Sequence, residues 1–293
     1  MTDRDVDFHP VVAAWFAKRF PDGPTAPQRE AWPLISSKDD VLVAAPTGSG
    51  KTLTAFMVGI NDFYQSPPEA QPSGPSIVYL SPLKALATDI RHNLQQPLEE
   101  LASLAKEMGY EPPPIRVEVR TGDTSSSERQ QHVRRPPHIY VTTPESFYLL
   151  LTSPNGRNIL RHVRTVIVDE IHYMAPDKRG THLSLSLERL DRLTVETSGR
   201  RAQRIGLSAT QRPLEETAAF LGGFASPGVQ RPVAIVDAGV RKPLEVEVVV
   251  PVEDMGDLGK EVVELRSGPA TSALATTRTS IWPSIYPRIL ELI

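Results

Sequence analysis

The chain contains no cysteine, which excludes disulfides, thiolate metal sites and a cysteine nucleophile. No uninterrupted apolar run approaches the length of a membrane span, and the N-terminal residues lack the apolar core of a signal peptide. The net charge of −3 provides no global basic field, so any contact with a polyanion must be local. These absences favour an ordinary globular protein of 293 residues, which we expect in the cytoplasm.

One stretch has the order of elements that a phosphate-binding loop requires. The apolar residues Val41 to Ala45 predict a buried strand, and the small residues after them predict a tight turn that ends in a helix. Glycines in the turn let backbone N–H groups face an anion, and the helix directs its positive end to the same point. A chance Gly/Ser turn is the competing interpretation, and Ala45 stands where the usual pattern has its first glycine. The predicted nucleotide site consists of Ala45, Pro46, Thr47, Gly48, Ser49, Gly50, Lys51 and Thr52.

Two acids, Asp169 and Glu170, directly follow the apolar segment Thr165 to Val168. Phosphoryl transfer needs such a pair: Asp169 is expected to hold Mg²⁺ through its water shell, and Glu170 to orient and deprotonate the attacking water. Lys51 would reach the β- and γ-phosphates, and the Thr52 hydroxyl would coordinate the same Mg²⁺. An exposed acidic turn is the alternative, but the phosphate loop upstream favours catalysis.

Strands and helices alternate along most of the chain, which predicts an α/β fold with a parallel sheet and helices on both faces. In such sheets ligands bind beyond the carboxyl ends of the strands, where the candidate residues converge. A helix is expected from Leu83 to Met108, interrupted at Pro97, and another from His182 to Leu193. Further on, Leu244 to Val250 is β-rich, and Val252 to Arg278 resembles a linker.

Together, these segments resemble the motifs of superfamily 2 helicases of the DEAD/DEAH-box type, and more closely the large helicase-related (Lhr) family. The general helicase motifs are matched by Gln28 (Q motif), residues 45–52 (motif I), Ser81 to Leu86 (Ia), Asp169 to His172 (II) and Ser208 to Thr210 (III). The Lhr-like segments are Pro24-Thr25-Ala26-Pro27-Gln28, Ser81-Pro82-Leu83-Lys84-Ala85-Leu86, Arg120-Thr121-Gly122-Asp123-Thr124, Thr142-Thr143-Pro144-Glu145-Ser146, Lys178-Arg179-Gly180-Thr181-His182-Leu183, Leu187-Glu188-Arg189-Leu190 and Ser280-Ile281-Trp282-Pro283-Ser284.

The resemblance implies a RecA-like domain that binds MgATP, with Gln28 hydrogen-bonding the adenine edge. It also implies that Ser208 and Thr210, together with His172, couple the nucleotide state to nucleic-acid contacts. In the family, residues of motif Ia and its neighbours contact the backbone of single-stranded nucleic acid, and the positions that resemble them are Lys84, Thr121, Gly122 and Thr143. DNA is favoured over RNA as this partner. Without the family pattern, Gln28 would be interpreted as a surface amide, His172 as a solvated or capping histidine, and Lys84 equally well as an exposed helix lysine.

Members of the Lhr family also carry a second RecA-like lobe with an arginine finger, and none of its motifs follows Ile293. We expect N-terminal helices in residues 1–36, the RecA-like ATP-binding domain in 37–235, and a β-rich or linker segment in 236–293 that leads to the missing lobe. The chain would then be the ATP-binding lobe of an ATP-dependent helicase, with weak hydrolysis on its own. The alternatives are a truncated, non-motor ATP-binding module and, more distantly, a kinase or transporter ATPase.

Overall fold

The computed structural model describes residues 6–66, 74–210, 212–239, 261–263, 277–279, 282, 285–286 and 289–290. The chain divides into a large unit, Met1–Val240, and a smaller unit, Arg241–Ile293. All candidate site residues expected from the sequence lie in the large unit, so the site can be described within that unit alone.

A seven-stranded parallel sheet runs through the described part of the large unit. The strands of this unit are β1 (Val41–Ala44), β2 (Ile77–Leu80), β3 (Val117–Arg120), β4 (Ile139–Thr142), β5 (Thr165–Val168), β6 (Gln203–Ser208), the hairpin strands β7 (Phe224–Ser226) and β8 (Val229–Gln230), and β9 (Ala234–Asp237). Across the sheet the order is β3-β4-β2-β5-β6-β1-β9. Because every pair is parallel, all the loops that follow the strands emerge at one edge.

Helices cover both faces of this sheet, as the strand–helix alternation predicts. The helices are α1 (Pro10–Arg19), α2 (Ala26–Ser36), α3 (Lys51–Gln65), α4 (Lys84–Glu107), α5 (Ser126–Arg134), α6 (Pro144–Thr152), α7 (Pro154–Leu160), α8 (Ile171–Met174), α9 (Lys178–Ser198) and α10 (Leu214–Gly222). One hydrophobic cluster contains residues of α1 to α4, and a second contains residues of α6 to α10. The strands contribute alternate residues to the two clusters, because successive side chains point to opposite faces.

Two helices differ from the sequence prediction. Pro97 lies inside α4, which continues without the expected interruption because its buried residues, such as Leu94 and Leu101, pack against the core on both sides of the proline. Helix α9 begins at Lys178 rather than near His182, since the carboxylate of Asp177 accepts the first backbone N–H groups and caps the helix.

In the smaller unit, β10 (Glu261–Val263) pairs antiparallel with β11 (Thr277–Thr279). Paired strand therefore occurs inside the stretch expected to be a linker. The expected β-rich segment Leu244 to Val250 lies outside the described residues. The domain boundaries near residues 36 and 235 stay predictions. No helix in the described part of the chain is both long and apolar enough to cross a membrane.

Candidate functional site

The loop after β1 and the start of α3 form a cradle of backbone and one lysine. Gly48 and Gly50 have φ angles of +81° and +84°, in the left-handed region that glycine enters without steric cost. Lys51 is the first residue of α3 and is buried; its Nζ donates to the carbonyl oxygens of Ala45 at 2.6 Å and Pro46 at 2.9 Å. The ammonium is therefore held at the N-terminal end of a helix, where the helix dipole favours an anion.

Lys51 acts electrostatically with two carboxylates from a distant part of the chain. Burial lowers the pKa of Lys51, and the charges of Glu170 and Asp169 act in the opposite direction. In the sheet, β6 is the only strand between β1 and β5, which brings the two loops to the same place. The fold thus assembles a cation and two acids at the edge where the sequence predicts them.

Asp169 directly follows β5 and uses both of its carboxylate oxygens in hydrogen bonds. Its Oδ1 accepts the backbone N–H of Glu170 at 3.0 Å, and its Oδ2 accepts the hydroxyl of Tyr79 from β2. Burial raises the pKa of Asp169, against the opposing effect of the Tyr79 hydrogen bond. Glu170 has φ +45° and ψ +42°, a left-handed conformation that costs a non-glycine residue about 1–3 kcal/mol and is concentrated at functional sites.

The donor set around Asp169 fits a hard divalent cation. Because burial raises the pKa of this carboxylate, its negative charge is incompletely compensated, and a cation would supply the compensation. Thr52, in the first turn of α3, adds a hydroxyl oxygen, and oxygen is the donor atom that Mg²⁺ takes from protein, water and phosphate. The described residues contain no group of three or more His, Cys, Asp or Glu side chains that could hold a metal alone. A Mg²⁺ ion at Asp169 and Thr52 would share its coordination with phosphate and water, as this ion usually does.

His172 and the end of β6 are joined by hydrogen bonds. Nδ1 of His172 accepts the backbone N–H of Ala209 at 3.2 Å and lies 3.3 Å from Ser208 Oγ. Burial lowers the pKa of His172, against the charge of Glu170. Because Nδ1 accepts the Ala209 N–H, the proton of the neutral ring lies on Nε2. Glu170 Oε2 lies 3.4 Å from the same Nδ1. Thr210, the third residue of the expected coupling group, is exposed beyond the end of β6.

Gln28 is buried against the phosphate loop. Its Oε1 accepts the backbone N–H of Thr25 at 2.9 Å, which closes a capping box at the start of α2. A Cβ atom at position 50 would lie 3.0 Å from Gln28 Nε2, so the glycine there makes room for the amide. Thr25 Oγ1 also donates to the Ser49 carbonyl at 3.1 Å. Because the Gln28 oxygen already accepts the Thr25 N–H, its N–H₂ group is the part available to donate to a nucleotide base. Pro46 and Thr47 of the same loop are exposed.

The residues expected to contact nucleic acid lie at the carboxyl ends of β2, β3 and β4. Lys84 is exposed, and its Nζ donates to the two carboxylate oxygens of Asp123 at 2.7 and 2.9 Å. Gly122 is exposed next to it, where a Cβ would lie 3.5 Å from Lys84 Nζ. Thr121 and Thr143 are buried. The hydroxyl oxygen of Thr121 accepts the backbone N–H of Asp123 at 3.3 Å, and that of Thr143 accepts a backbone N–H in the first turn of α6.

Three residues at this edge were not singled out individually from the sequence: Tyr79, Asp123 and Arg179. Arg179 joins two of the loops, because its Nη2 donates to the Pro82 carbonyl at 2.9 Å and its Nε donates to Glu145 Oε1 at 2.8 Å. It lies within one of the Lhr-like segments, so the sequence did contain a signal for it. Tyr79 reads only as a strand residue, since its partner is 90 residues away in the chain.

Comparison with known proteins places this geometry among helicases. Residues 25–217 match the family model described as DEAD/DEAH box helicase. The chain is 44% identical over 289 residues to the Lhr helicase/uracil glycosylase of Escherichia coli (strain K12), covering 97% of this chain and 18% of that protein. It is 47% identical over 245 residues to the ATP-dependent helicase Lhr-Core protein 2 of Thermococcus barophilus, covering 83% of this chain and 28% of that protein.

A solved structure of the Mycobacterium smegmatis helicase Lhr bound to ssDNA and AMP-PNP is also similar, with a TM-score of 0.74 and 43% identity. The match covers 97% of this chain and 32% of that chain. The resemblance to Lhr helicases and the RecA-like α/β fold expected from the sequence are thereby confirmed. The chain spans 18% and 28% of the lengths of the two curated relatives.

Proposed function

This chain belongs to the DEAD/DEAH box helicase family, and we propose that it is the MgATP-binding lobe of an ATP-driven nucleic-acid translocase. One observation carries the proposal. The fold brings Lys51 at the end of a phosphate loop to the same edge as Asp169 and Glu170, and the two carboxylates act on the pKa of the lysine. The similar Mycobacterium smegmatis Lhr structure is bound to AMP-PNP, which supports ATP as the nucleotide.

Each residue of the site has a role that follows from its chemistry. Lys51 binds the β- and γ-phosphates together with the loop backbone, and Gln28 donates its N–H₂ group to the adenine. Thr52 and Asp169 would hold Mg²⁺, Asp169 through the water shell of the ion, and the ion would neutralise charge on the phosphates. Glu170 accepts the proton of the water whose oxygen attacks the γ-phosphorus as the bond to ADP breaks.

The second half of the proposal concerns single-stranded nucleic acid, with DNA favoured. Lys84 and Gly122 are exposed at the edge that also carries the phosphate loop, while Thr121 and Thr143 shape the loops around them. The His172 hydrogen bonds to the end of β6 connect the acidic loop to the neighbouring strand, which suits a role in coupling the two ligands. The same Mycobacterium smegmatis Lhr structure is also bound to ssDNA, which supports this class of partner.

A non-motor ATP-binding module is the second candidate, and the charges at the site favour it for this chain alone. Among the described residues, the hydrogen bonds and ion pairs of Lys51, Asp169 and Glu170 include no arginine. In related hydrolases an arginine finger contributes about 10³–10⁵ in rate. We therefore propose that residues 1–293 bind MgATP but hydrolyse it slowly until a second RecA-like lobe is added.

Binding of a fluorescent ATP analogue to residues 1–293, followed by hydrolysis with and without a single-stranded DNA oligonucleotide, tests the proposal. Lys51→Ala should weaken binding by about 10- to 150-fold, since a hydrogen bond to a charged group contributes about 1.5–3 kcal/mol. Glu170→Gln should keep nucleotide affinity while removing the hydrolysis that the added second lobe restores. Lys38→Ala, at an exposed ion pair with Asp62, is the matched control and should leave binding unchanged.

The outcomes separate the two candidates. Unchanged binding by the Lys51→Ala variant would reject the nucleotide site. DNA-stimulated hydrolysis restored by the second lobe favours the motor, and its absence favours the non-motor module. Robust DNA-stimulated turnover by a monomeric preparation of residues 1–293 alone would contradict the need for a second lobe.

A further inference from the structure

The hydroxyl of Tyr79 reaches the acidic loop from β2, a neighbouring strand to which the proposed function assigns no nucleotide contact. Tyr79 is fully buried, and its hydroxyl donates to Asp169 Oδ2. In the register of the two parallel strands Tyr79 pairs with Ile167, two residues before Asp169, and the Asp169 N–H donates to the Leu80 carbonyl at 2.9 Å. The contact is thus fixed by the sheet itself.

The side chain of Thr52 also acts on this hydroxyl, opposing the effect of burial, which raises the pKa of Tyr79. While the Tyr79 hydroxyl donates a hydrogen bond to Asp169, its oxygen still has lone pairs that can accept a hydrogen bond from the Thr52 hydroxyl. Its ring is held by Phe56, one turn further along α3, with the two ring centroids 5.2 Å apart and their planes 19° from parallel. A ring held in place therefore carries the hydroxyl that contacts Asp169, the carboxylate assigned to Mg²⁺.

Tyr79 is suited to this position because its hydroxyl remains a donor. A tyrosine hydroxyl has an ordinary pKa of about 10, so at neutral pH it is protonated and can donate. With Oδ1 of Asp169 accepting the Glu170 N–H, the hydrogen bond to Oδ2 fixes the carboxylate plane. Groups that orient a metal ligand in this way typically change metal affinity by about 10- to 100-fold when they are removed.

We propose that Tyr79 is a positioning residue that orients the Asp169 carboxylate for the Mg²⁺ of a bound nucleotide. The proposal rests on the proposed function, because it presumes the Mg²⁺-nucleotide site. It goes beyond that function in adding a residue outside the helicase motifs. Its consequence is specific: the hydroxyl matters for nucleotide binding with Mg²⁺ and not for binding without it.

The test is a Mg²⁺ titration of fluorescent ATP analogue binding to residues 1–293, with a parallel series in EDTA. Tyr79→Phe removes one oxygen and keeps the ring stacked on Phe56. It should raise the Mg²⁺ concentration for half-maximal binding by about 10- to 100-fold and leave the affinity in EDTA at the wild-type value. Thermal unfolding without nucleotide checks that the variant is folded.

Tyr140→Phe is the matched control. Tyr140 is also fully buried, on the adjacent strand β4, and its hydroxyl bonds His132 Nδ1 at 2.9 Å, away from the site. A wild-type Mg²⁺ curve for Tyr79→Phe would overturn the inference, and so would an equal loss with and without Mg²⁺, which would mean general damage to the loop. Failure of the wild-type chain to bind nucleotide would instead overturn the proposed function, and this inference with it.

Discussion

Asp123 is expected to compete with nucleic acid for Lys84. The Lys84 ammonium donates to both carboxylate oxygens of Asp123, at 2.7 and 2.9 Å, so a phosphate must displace this carboxylate to make the same contact. Asp123→Asn keeps the size of the side chain and removes its charge. The backbone N–H of residue 123, which donates to Thr121 Oγ1 at 3.3 Å, is retained in the variant. The substitution should therefore strengthen binding of single-stranded DNA.

The exposure of the pair sets the size of the effect. The side chains of Lys84 and Asp123 are 55% and 75% exposed, and ion pairs this open contribute about 0.2–1 kcal/mol. Removing the repulsion between the carboxylate and a phosphate about 4 Å away adds up to about 1 kcal/mol in water. The two contributions together amount to about 0.2–2 kcal/mol, so at 1.4 kcal/mol per tenfold the affinity should rise by about 1.4- to 27-fold. The dependence on salt should also steepen, by at most about 0.7 in the log–log slope, because Lys84 no longer exchanges one anion for another.

Fluorescence anisotropy with a labelled oligonucleotide, from about 50 to about 200 mM salt, measures both quantities. In a Lys84→Gln background, Asp123→Asn should have a much smaller effect, so the double-mutant cycle gives a non-zero coupling energy. Asp62→Asn is the control, because it changes the net charge by the same amount and removes the 2.7 Å ion pair with Lys38. Lys38 lies before the amino end of β1, so this variant should bind DNA with unchanged affinity. Weaker binding by Asp123→Asn, or an equal effect in both backgrounds, would refute the reasoning.

Two further predictions concern stability. Arg204→Met should lower the free energy of unfolding by about 3–5 kcal/mol, because the guanidinium is 1% exposed and its loss leaves Asp191 buried without its 2.7 Å partner. The control Arg192→Met, at an ion pair whose arginine is 83% exposed, should lower it by less than about 0.5 kcal/mol. Equal urea midpoints for the two variants would contradict this prediction. Burial lowers the pKa of His138 to about 4, whereas the pKa of this side chain in the unfolded chain is about 6.5. The stability that neutral His138 contributes is therefore fully present above about pH 6.5. It is lost as the pH falls toward about 4, by up to about 1.4 kcal/mol per pH unit. His138→Asn keeps an acceptor for the Arg116 N–H and should show a shallower acid dependence of the urea midpoint; an unchanged dependence would rule out His138 as its source.

Local patterns were enough to predict the strands of the seven-stranded sheet and most of the helices, but not the short strands β7, β8, β10 and β11. Apolar runs such as Val41 to Ala45 are buried on both faces of a parallel sheet, so each is visible as a continuous segment. The strand order was not predictable in the same way, because it depends on which helices pack on which face. Helices α7, α8 and α10 were also missed, since each has nine residues or fewer and so shows little periodicity.

The candidate site shows the same division between local and distant information. The phosphate loop is one continuous segment of the sequence, and so is the acidic pair. The sequence therefore indicates the chemistry of each, although their roles stay predictions. The partner of Asp169 is Tyr79, 90 residues away, and the partner of Lys84 is Asp123, 39 residues away. Such pairings are set by strand register and loop packing, which have no pattern in a single sequence. The hydrogen bonds that tune the site therefore had to come from the structure.

The alanine at position 45 illustrates how the backbone decides which parts of a motif are required. Among the described residues of the loop, positive φ angles occur at Gly48 and Gly50, whereas Ala45 is not in that region. Ala45 is fully buried, and its N–H donates to the Ser208 carbonyl at 3.2 Å, so it continues the pairing of β1 with β6 by one residue. A side chain fits here because the chain has not yet begun to turn, and glycine is required only where the backbone enters the left-handed region. The departure from the usual pattern is therefore compatible with an intact phosphate loop.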